Sequence, residues 1–131
     1  MVFALTAHLV FVTKYRRGVL TQKVFEVLKA SWESVCKDFE CELREVGFED
    51  DHAHLLVAYP PKVSLSTLVA SLKGVSARRV RAEGFREVEK KLWGSHFWSP
   101  SYCAVSCGGA PLEIVKQYVQ AQRGEHRSSS P

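Results

Sequence analysis

The segment from His52 to Tyr59 constrains the chain more than any other. Asp50-Asp51 lead into it and Pro60-Pro61 end it. Ala53, Leu55, Val57 and Tyr59 fall at one parity, and His52, His54 and Leu56 at the other. Residues two apart in an extended chain point the same way, so the segment is a strand with one apolar face and one face bearing paired imidazoles. Two imidazoles on one face can both reach a single metal ion. A His-x-His pair is common by chance, so the remainder has to supply another ligand, a nucleophile and a substrate surface.

Other segments show comparable signals. Residues 3–13 alternate, with Phe3, Leu5, Ala7, Leu9 and Phe11 opposite Thr6, His8, Val10 and Val12, and Lys14-Tyr15-Arg16-Arg17-Gly18 ends that strand in a basic turn. Thr21 is placed to N-cap a helix with Val24, Leu28, Trp32, Val35 and Phe39 at helical spacing. Glu40–Val46 alternates again, with Cys41, Leu43 and Glu45 against Glu42, Arg44 and Val46; residues 47–51 turn, and the next strand completes a hairpin. Ser64 or Ser66 caps a second helix bearing Leu65, Leu68, Val69, Leu72 and Val75, and residues 84–92 add a short charged helix. Tyr102–Ser106 reads as a fourth strand, Gly108-Gly109 breaks it, and Pro111 opens a last helix over 111–123.

The order strand, helix, strand, strand, helix, strand predicts an α+β fold: a ferredoxin-like, RRM-like antiparallel sheet (βαββαβ) with its helices on one face. The final helix is extra. If Ala53, Leu55 and Val57 pack under the helices, His52 and His54 lie on the open face. A length of 131 residues suits one domain, expected over 1–124, with 125–131 a disordered tail. No apolar run is long enough to span a bilayer and no signal peptide is recognisable, so a cytoplasmic protein without membrane contact is expected. Cys36/Cys41 and Cys103/Cys107 lack the spacing of a zinc ribbon, and reduced, mostly buried thiols are the preferred reading.

The net charge of +4 permits nucleic-acid binding, and its distribution says more. Lys14, Arg16, Arg17 and Lys23 cluster without an acid, and Lys73, Arg78, Arg79, Arg81, Arg86, Lys90 and Lys91 outnumber the glutamates among them. Acids gather between Glu33 and Asp51, which suggests separate basic and acidic surfaces. In the last helix Tyr118 and Gln122 stand four apart and share a face. A half-buried tyrosine is the ordinary explanation; presentation of a phenol and an amide to the histidines is the functional one.

With these pieces in order, the chain resembles the HUH single-tyrosine transposases of the insertion-sequence 200/605 family. The resemblance is carried by His8-Leu9-Val10-Phe11-Val12-Thr13-Lys14-Tyr15-Arg16-Arg17, Asp51-His52-Ala53-His54-Leu55-Leu56 and Leu72-Lys73-Gly74-Val75-Ser76-Ala77-Arg78-Arg79. Leu92-Trp93-Gly94, Phe97-Trp98-Ser99-Pro100-Ser101-Tyr102 and Gln117-Tyr118-Val119-Gln120-Ala121-Gln122 extend it. It runs from about residue 5 to residue 123.

The resemblance implies that Tyr118 is the nucleophile and that His52, His54 and Gln122 hold a divalent cation, Mg2+ or Mn2+, with Asp51 behind them. It implies a covalent 5′-phosphotyrosine, no nucleotide cofactor, and a homodimer in which the tyrosine helix can complete the partner's site. Lys14, Arg16, Arg17, Lys73, Ser76, Arg78 and Arg79 fall on surfaces that hold single-stranded DNA and its hairpins. Trp93, Phe97, Trp98 and Tyr102 could stack on bases or pack in the core, and His8 is not assigned as a ligand. Ala53 is smaller than the family's bulky residue between the histidines, Asp50 replaces a common proline, and N-terminal contacts of longer relatives are expected to be absent. Alternative readings are a domesticated repeat-associated relative acting on chromosomal hairpins, a non-catalytic nucleic-acid binder, and a zinc hydrolase, for which no carboxylate base or third strong ligand is found.

Overall fold

A computed structural model describes residues 5–92 and 96–106. They form β1 (Leu5–Thr13), α1 (Gln22–Asp38), β2 (Glu42–Glu49), β3 (His52–Tyr59), α2 (Leu65–Glu83), α3 (Arg86–Leu92) and β4 (Trp98–Ser106). All strand pairs are antiparallel, in the order β2-β3-β1-β4. This is the ferredoxin-like arrangement expected from the sequence. The last helix with Tyr118 and Gln122, the tail after residue 124, Cys107 and Trp93 lie outside the described residues.

The helices cover one face because the strands offer it an unbroken apolar surface. Ala7, Leu9 and Phe11 of β1 and Ala53, Leu55 and Val57 of β3 are fully buried against Val24, Leu28 and Trp32 of α1 and Leu68 and Leu72 of α2. Each buried Leu or Val contributes roughly 1.5–3 kcal/mol, so this face decides which way β3 turns. Helix starts follow the sequence: the Thr21 hydroxyl accepts from Val24 N–H at 3.3 Å, and Ser64, not Ser66, caps α2 by accepting from Thr67 N–H at 3.4 Å. α2 ends at Gly84, whose φ of 68° places it in the left-handed region that favours glycine.

Two strands depart from expectation. β2 runs to Glu49, because Gly47, Phe48 and Glu49 continue the ladder opposite His54, Ala53 and His52. A bulge at Arg44 also changes its parity: Leu43 pairs with Val57, but Glu45 pairs with Leu56. Val46 and Phe48 therefore join Leu43 against the helix-side core, while Gly47 shares the face of His54. β4 begins at Trp98, four residues before the expected start, with Pro100 tolerated on this edge strand. The ladder to β1 shifts between Phe11 and Thr13, and Lys73 Nζ donates to the carbonyl oxygens of Ser99 (2.6 Å) and Ser101 (3.4 Å) there.

Phe97 and Trp98 are core residues. Trp98 meets Phe11 edge-on at 5.7 Å and Phe97 at 4.7 Å, and stacks on Trp32 at 6.2 Å. Both indole N–H groups are satisfied: Trp32 donates to the Leu72 carbonyl (3.2 Å) and Trp98 to Ser76 Oγ (3.1 Å). Ser76 Oγ in turn donates to the Lys73 carbonyl at 3.1 Å. Tyr102 is instead exposed at the edge, with Lys73 Nζ over its ring at 5.7 Å. Cys36, Cys41 and Cys103 are free thiols. Burial, with the nearby Cys41 and Glu33, pushes the Cys36 thiol up to about 12, so it remains an inert core group.

In urea unfolding, Trp98→Ala should cost about 3–5 kcal/mol, the range for emptying a buried aromatic site. Ser76→Ala should cost about 1–3 kcal/mol, because it leaves the indole N–H buried without an acceptor.

Candidate active site

Register places the histidines. Val12 of β1 stands opposite His52, Val10 opposite His54 and His8 opposite Leu56, so the three imidazoles of His8, His52 and His54 share the face away from the helices. Val10 and Val12 between them are fully buried and pack with Cys103 of β4. Val10 and Val12 thus stand between the histidine pair and β4, and His8, two residues from Val10 along β1, is diagonal to His54.

His52 is held by its neighbour. Its Nδ1 lies 2.8 Å from Asp51 Oδ1. A carboxylate only accepts, so Nδ1–H is the donor, and in the neutral ring that tautomer leaves the lone pair on Nε2. The second oxygen, Asp51 Oδ2, accepts from Arg16 Nη2. The Asp51 and Arg16 side chains are only 9% and 15% exposed, so this is an inward ion pair with a donor for each carboxylate oxygen. The Arg16 Nε is buried without a hydrogen-bond partner among the described residues.

The Asp50-Asp51 turn is itself fixed to the end of β1. Thr13 N–H donates to the Asp51 carbonyl at 3.0 Å, and Leu20 N–H to the Asp50 carbonyl at 2.9 Å. Thr13 Oγ1 lies 3.1 Å from Asp51 O and 2.7 Å from Arg17 O. Gly18 lets the turn come this close: a Cβ there would stand 2.9 Å from Asp50 Oδ2.

His54 depends on a different device. Its ring lies over Gly47, its partner across β2–β3, and a Cβ on Gly47 would stand 2.5 Å from His54 Nε2 and 2.6 Å from Cε1. His54 is exposed, yet partial loss of ring hydration where it rests on the sheet, with the charges of His52 and His8, pushes its pKa below the ordinary 6.5, against the opposing pull of Glu45 and Glu49. Near neutral pH the imidazole is therefore uncharged, the form that ligates a metal. As neutral imidazoles the two rings could supply two of the three protein ligands expected at a divalent-cation site. Among the described residues no group of three His, Cys, Asp or Glu side chains is placed to hold an ion. Gln122, the expected third ligand, and Tyr118, the expected nucleophile, lie outside those residues.

The basic residues divide into two sets. Arg17, Arg78 and Arg79 are exposed and Lys14 is half-exposed. Arg16 faces Asp51, Ser76 is buried under Trp98, and Lys73 is half-buried on the β4 carbonyls, where burial lowers its pKa. Lys14 and Lys73 line a cavity of about 300 Å³ with Gly74, His96, Ser99 and Pro100. Sequence reasoning missed Gly47 and the inward course of Arg16. A glycine interrupting an alternating strand signals a close approach, and that signal was available.

Comparison with known proteins agrees with this frame. The family model for IS200-like transposases matches residues 1–122, and the chain belongs to that family as a TnpA-like transposase of the IS200/605 group. It is 31% identical over 121 residues to the ISDra2 transposase TnpA of Deinococcus radiodurans, covering 92% of this chain and 86% of that one. The transposase of insertion sequence IS200 from Salmonella typhimurium is 28% identical over 120 residues, covering 92% of this chain and 78% of the relative. A crystal structure of a candidate transposase from Deinococcus radiodurans superposes with a TM-score of 0.81 at 32% identity, covering 93% of each chain. A REP-associated tyrosine transposase bound to a REP hairpin shares the fold, with a TM-score of 0.60 at 15% identity over 90% of this chain and 64% of that one. Among the described residues no helix is long and apolar enough to cross a membrane.

Gly47→Ala should leave the fold intact but displace the His54 ring, seen as large shifts of its ring resonances in histidine-detected NMR. The His54 pKa also makes stability pH-dependent. Above 6.5 both folded and unfolded forms are neutral at this site; as pH falls below 6.5 the unfolded chain takes up the proton first, so stability is lost toward acid. In urea titrations between neutral and acid pH, His54→Gln should lose less stability than the wild type.

Proposed function

We propose that this transposase cleaves and rejoins single-stranded DNA at insertion-sequence ends through a covalent 5′-phosphotyrosine on Tyr118. The observation that carries the reading is the pair His52 and His54 on the sheet face away from the helices, in a chain of the IS200-like family. His52, His54 and Gln122 would hold Mg2+ or Mn2+, which when bound offsets charge developing on the scissile phosphate. The phenolic oxygen of Tyr118 attacks phosphorus, the bond to the 3′ oxygen breaks, the phenolic proton is lost, and the 3′ oxygen leaves as a hydroxyl. The phosphotyrosine keeps the ester for rejoining, so no nucleotide cofactor is needed.

Lys14, Arg17, Arg78 and Arg79 supply the exposed positive groups for the DNA backbone. The hairpin in the REP-associated structure belongs to that protein; together with family membership it supports a hairpin at the element ends as the substrate here. The relatives named for insertion sequences favour element ends over a domesticated chromosomal role. One nucleophile per chain and two DNA ends call for a homodimer, with the tyrosine helix completing either its own or the partner's site.

The test is incubation with labelled single-stranded DNA carrying an element-end hairpin and Mn2+, followed by a denaturing gel. A covalent protein–DNA band is expected, and Tyr118→Phe and chelator should each abolish it. His52→Ala should abolish cleavage while hairpin binding persists. Hairpin binding without an adduct on proper end sequences would leave the chain a binder rather than a strand transferase.

A further inference from the structure

Arg16 is the unexpected residue of the basic turn. Lys14–Arg16 form one tight turn, in which Tyr15 (φ 56°) and Arg16 (φ 52°) both occupy the left-handed region. For residues with a Cβ this conformation is disfavoured, so the surroundings must over-determine it. Its result is a division of labour. Tyr15 is left exposed at 58%, with Lys14 Nζ 5.1 Å from its ring centroid, while Arg16 turns inward to Asp51. A phosphate-binding arginine would gain nothing from this placement, because its charge is already opposed and largely withdrawn from solvent.

The contacts beyond Arg16 give the placement a purpose. Asp51 uses one oxygen for Arg16 and the other for His52 Nδ1. A carboxylate held at only one oxygen can rotate about its own axis; held at both, it fixes the plane of the ring that donates to it. The backbone holds the same assembly independently, through Thr13 and Leu20 on the Asp51 and Asp50 carbonyls. The turn after β1 is thus a brace behind the first histidine of the pair.

We infer that Arg16 is a positioning residue for the metal site: acting through Asp51, it fixes the Nδ1–H form and ring orientation of His52, so that Nε2 is the nitrogen left to bind a metal. The inference rests on the proposed role of His52 as a ligand. Partners of ligating histidines typically alter metal affinity by roughly 10–100-fold when removed, and Arg16 acts on that partner.

The experiment uses the full chain, labelled with 15N-histidine and free of metal and DNA, to read the His52 tautomer by long-range 1H–15N correlation. The wild type should show His52 protonated at Nδ1. Arg16→Gln should give mixed tautomers and a Mn2+ affinity lower by roughly 10-fold or more, with hairpin affinity within about twofold. Arg16→Lys, which keeps the charge but not the guanidinium reach, should show the same change in tautomer and carries the test if Arg16→Gln does not fold. An unchanged tautomer and Mn2+ affinity would overturn the inference. So would an unchanged tautomer with weakened hairpin binding and a salt slope reduced by about 1, the mark of a lost phosphate contact. Tautomer control by Arg16 in a protein that forms no adduct would leave the inference standing and remove only the proposed reaction. An adduct-forming protein with an unmoved tautomer would do the reverse.

Discussion

The pairing register between β1 and β3 is the constraint on which the rest of the structure depends. Ala7, Leu9 and Phe11 face Val57, Leu55 and Ala53, and this apolar patch lies under the helices. Strand side chains alternate with a period of two, so a slip by one residue would turn His52 and His54 into the core and put Leu55 and Val57 outside. Burying two unpaired imidazoles while exposing that many apolar groups would cost several kcal/mol. The core thus selects the face on which the imidazoles stand. Position on the sheet is a packing result before it is a functional one.

Packing sets the face but not the aim of each ring, and the two histidines are aimed by opposite means. His52 is held by contact, through a carboxylate that is itself held by Arg16 and by a backbone pinned at Thr13 and Leu20. His54 is held by space, in the clearance left by a glycine directly across the ladder. The bulge at Arg44 links that clearance to the core. By shifting parity it allows Val46 and Phe48 to pack inward while Gly47 faces His54. Without the extra residue, the strand could not satisfy both the apolar cluster and the histidine.

Much of this was legible in the sequence. Alternation in β1 and β3, helical spacing in α1 and α2, and the Thr21 cap identified the fold, because each is a local pattern tied to burial. The histidine pair was equally plain, since parity alone makes His52 and His54 neighbours. The features without a sequence signature are non-local or irregular. The bulge at Arg44 breaks the pattern used to read strands, and β4 contains a proline and a register shift that disguise its beginning at Trp98. In the sequence Arg16 is indistinguishable from the DNA-facing charges, because sequence gives charge without direction. Its inward course depends on left-handed backbone at Tyr15 and Arg16, a conformation for which glycine, not either of these residues, is the usual marker. For Phe97 and Trp98 the sequence does not separate core from base stacking, because aromatic side chains suit either; their rings and the Ser76 hydrogen bond place them in the core.

Electron spin-echo modulation of Mn2+ bound to the full chain measures most directly whether the outward histidines form one site. Two directly coordinated imidazole nitrogens are expected in the wild type, one in His54→Ala, and none when His52 is replaced as well. A Mn2+ signal without coordinated nitrogen, or with nitrogen coupling that survives loss of both histidines, would contradict a metal site built on this strand.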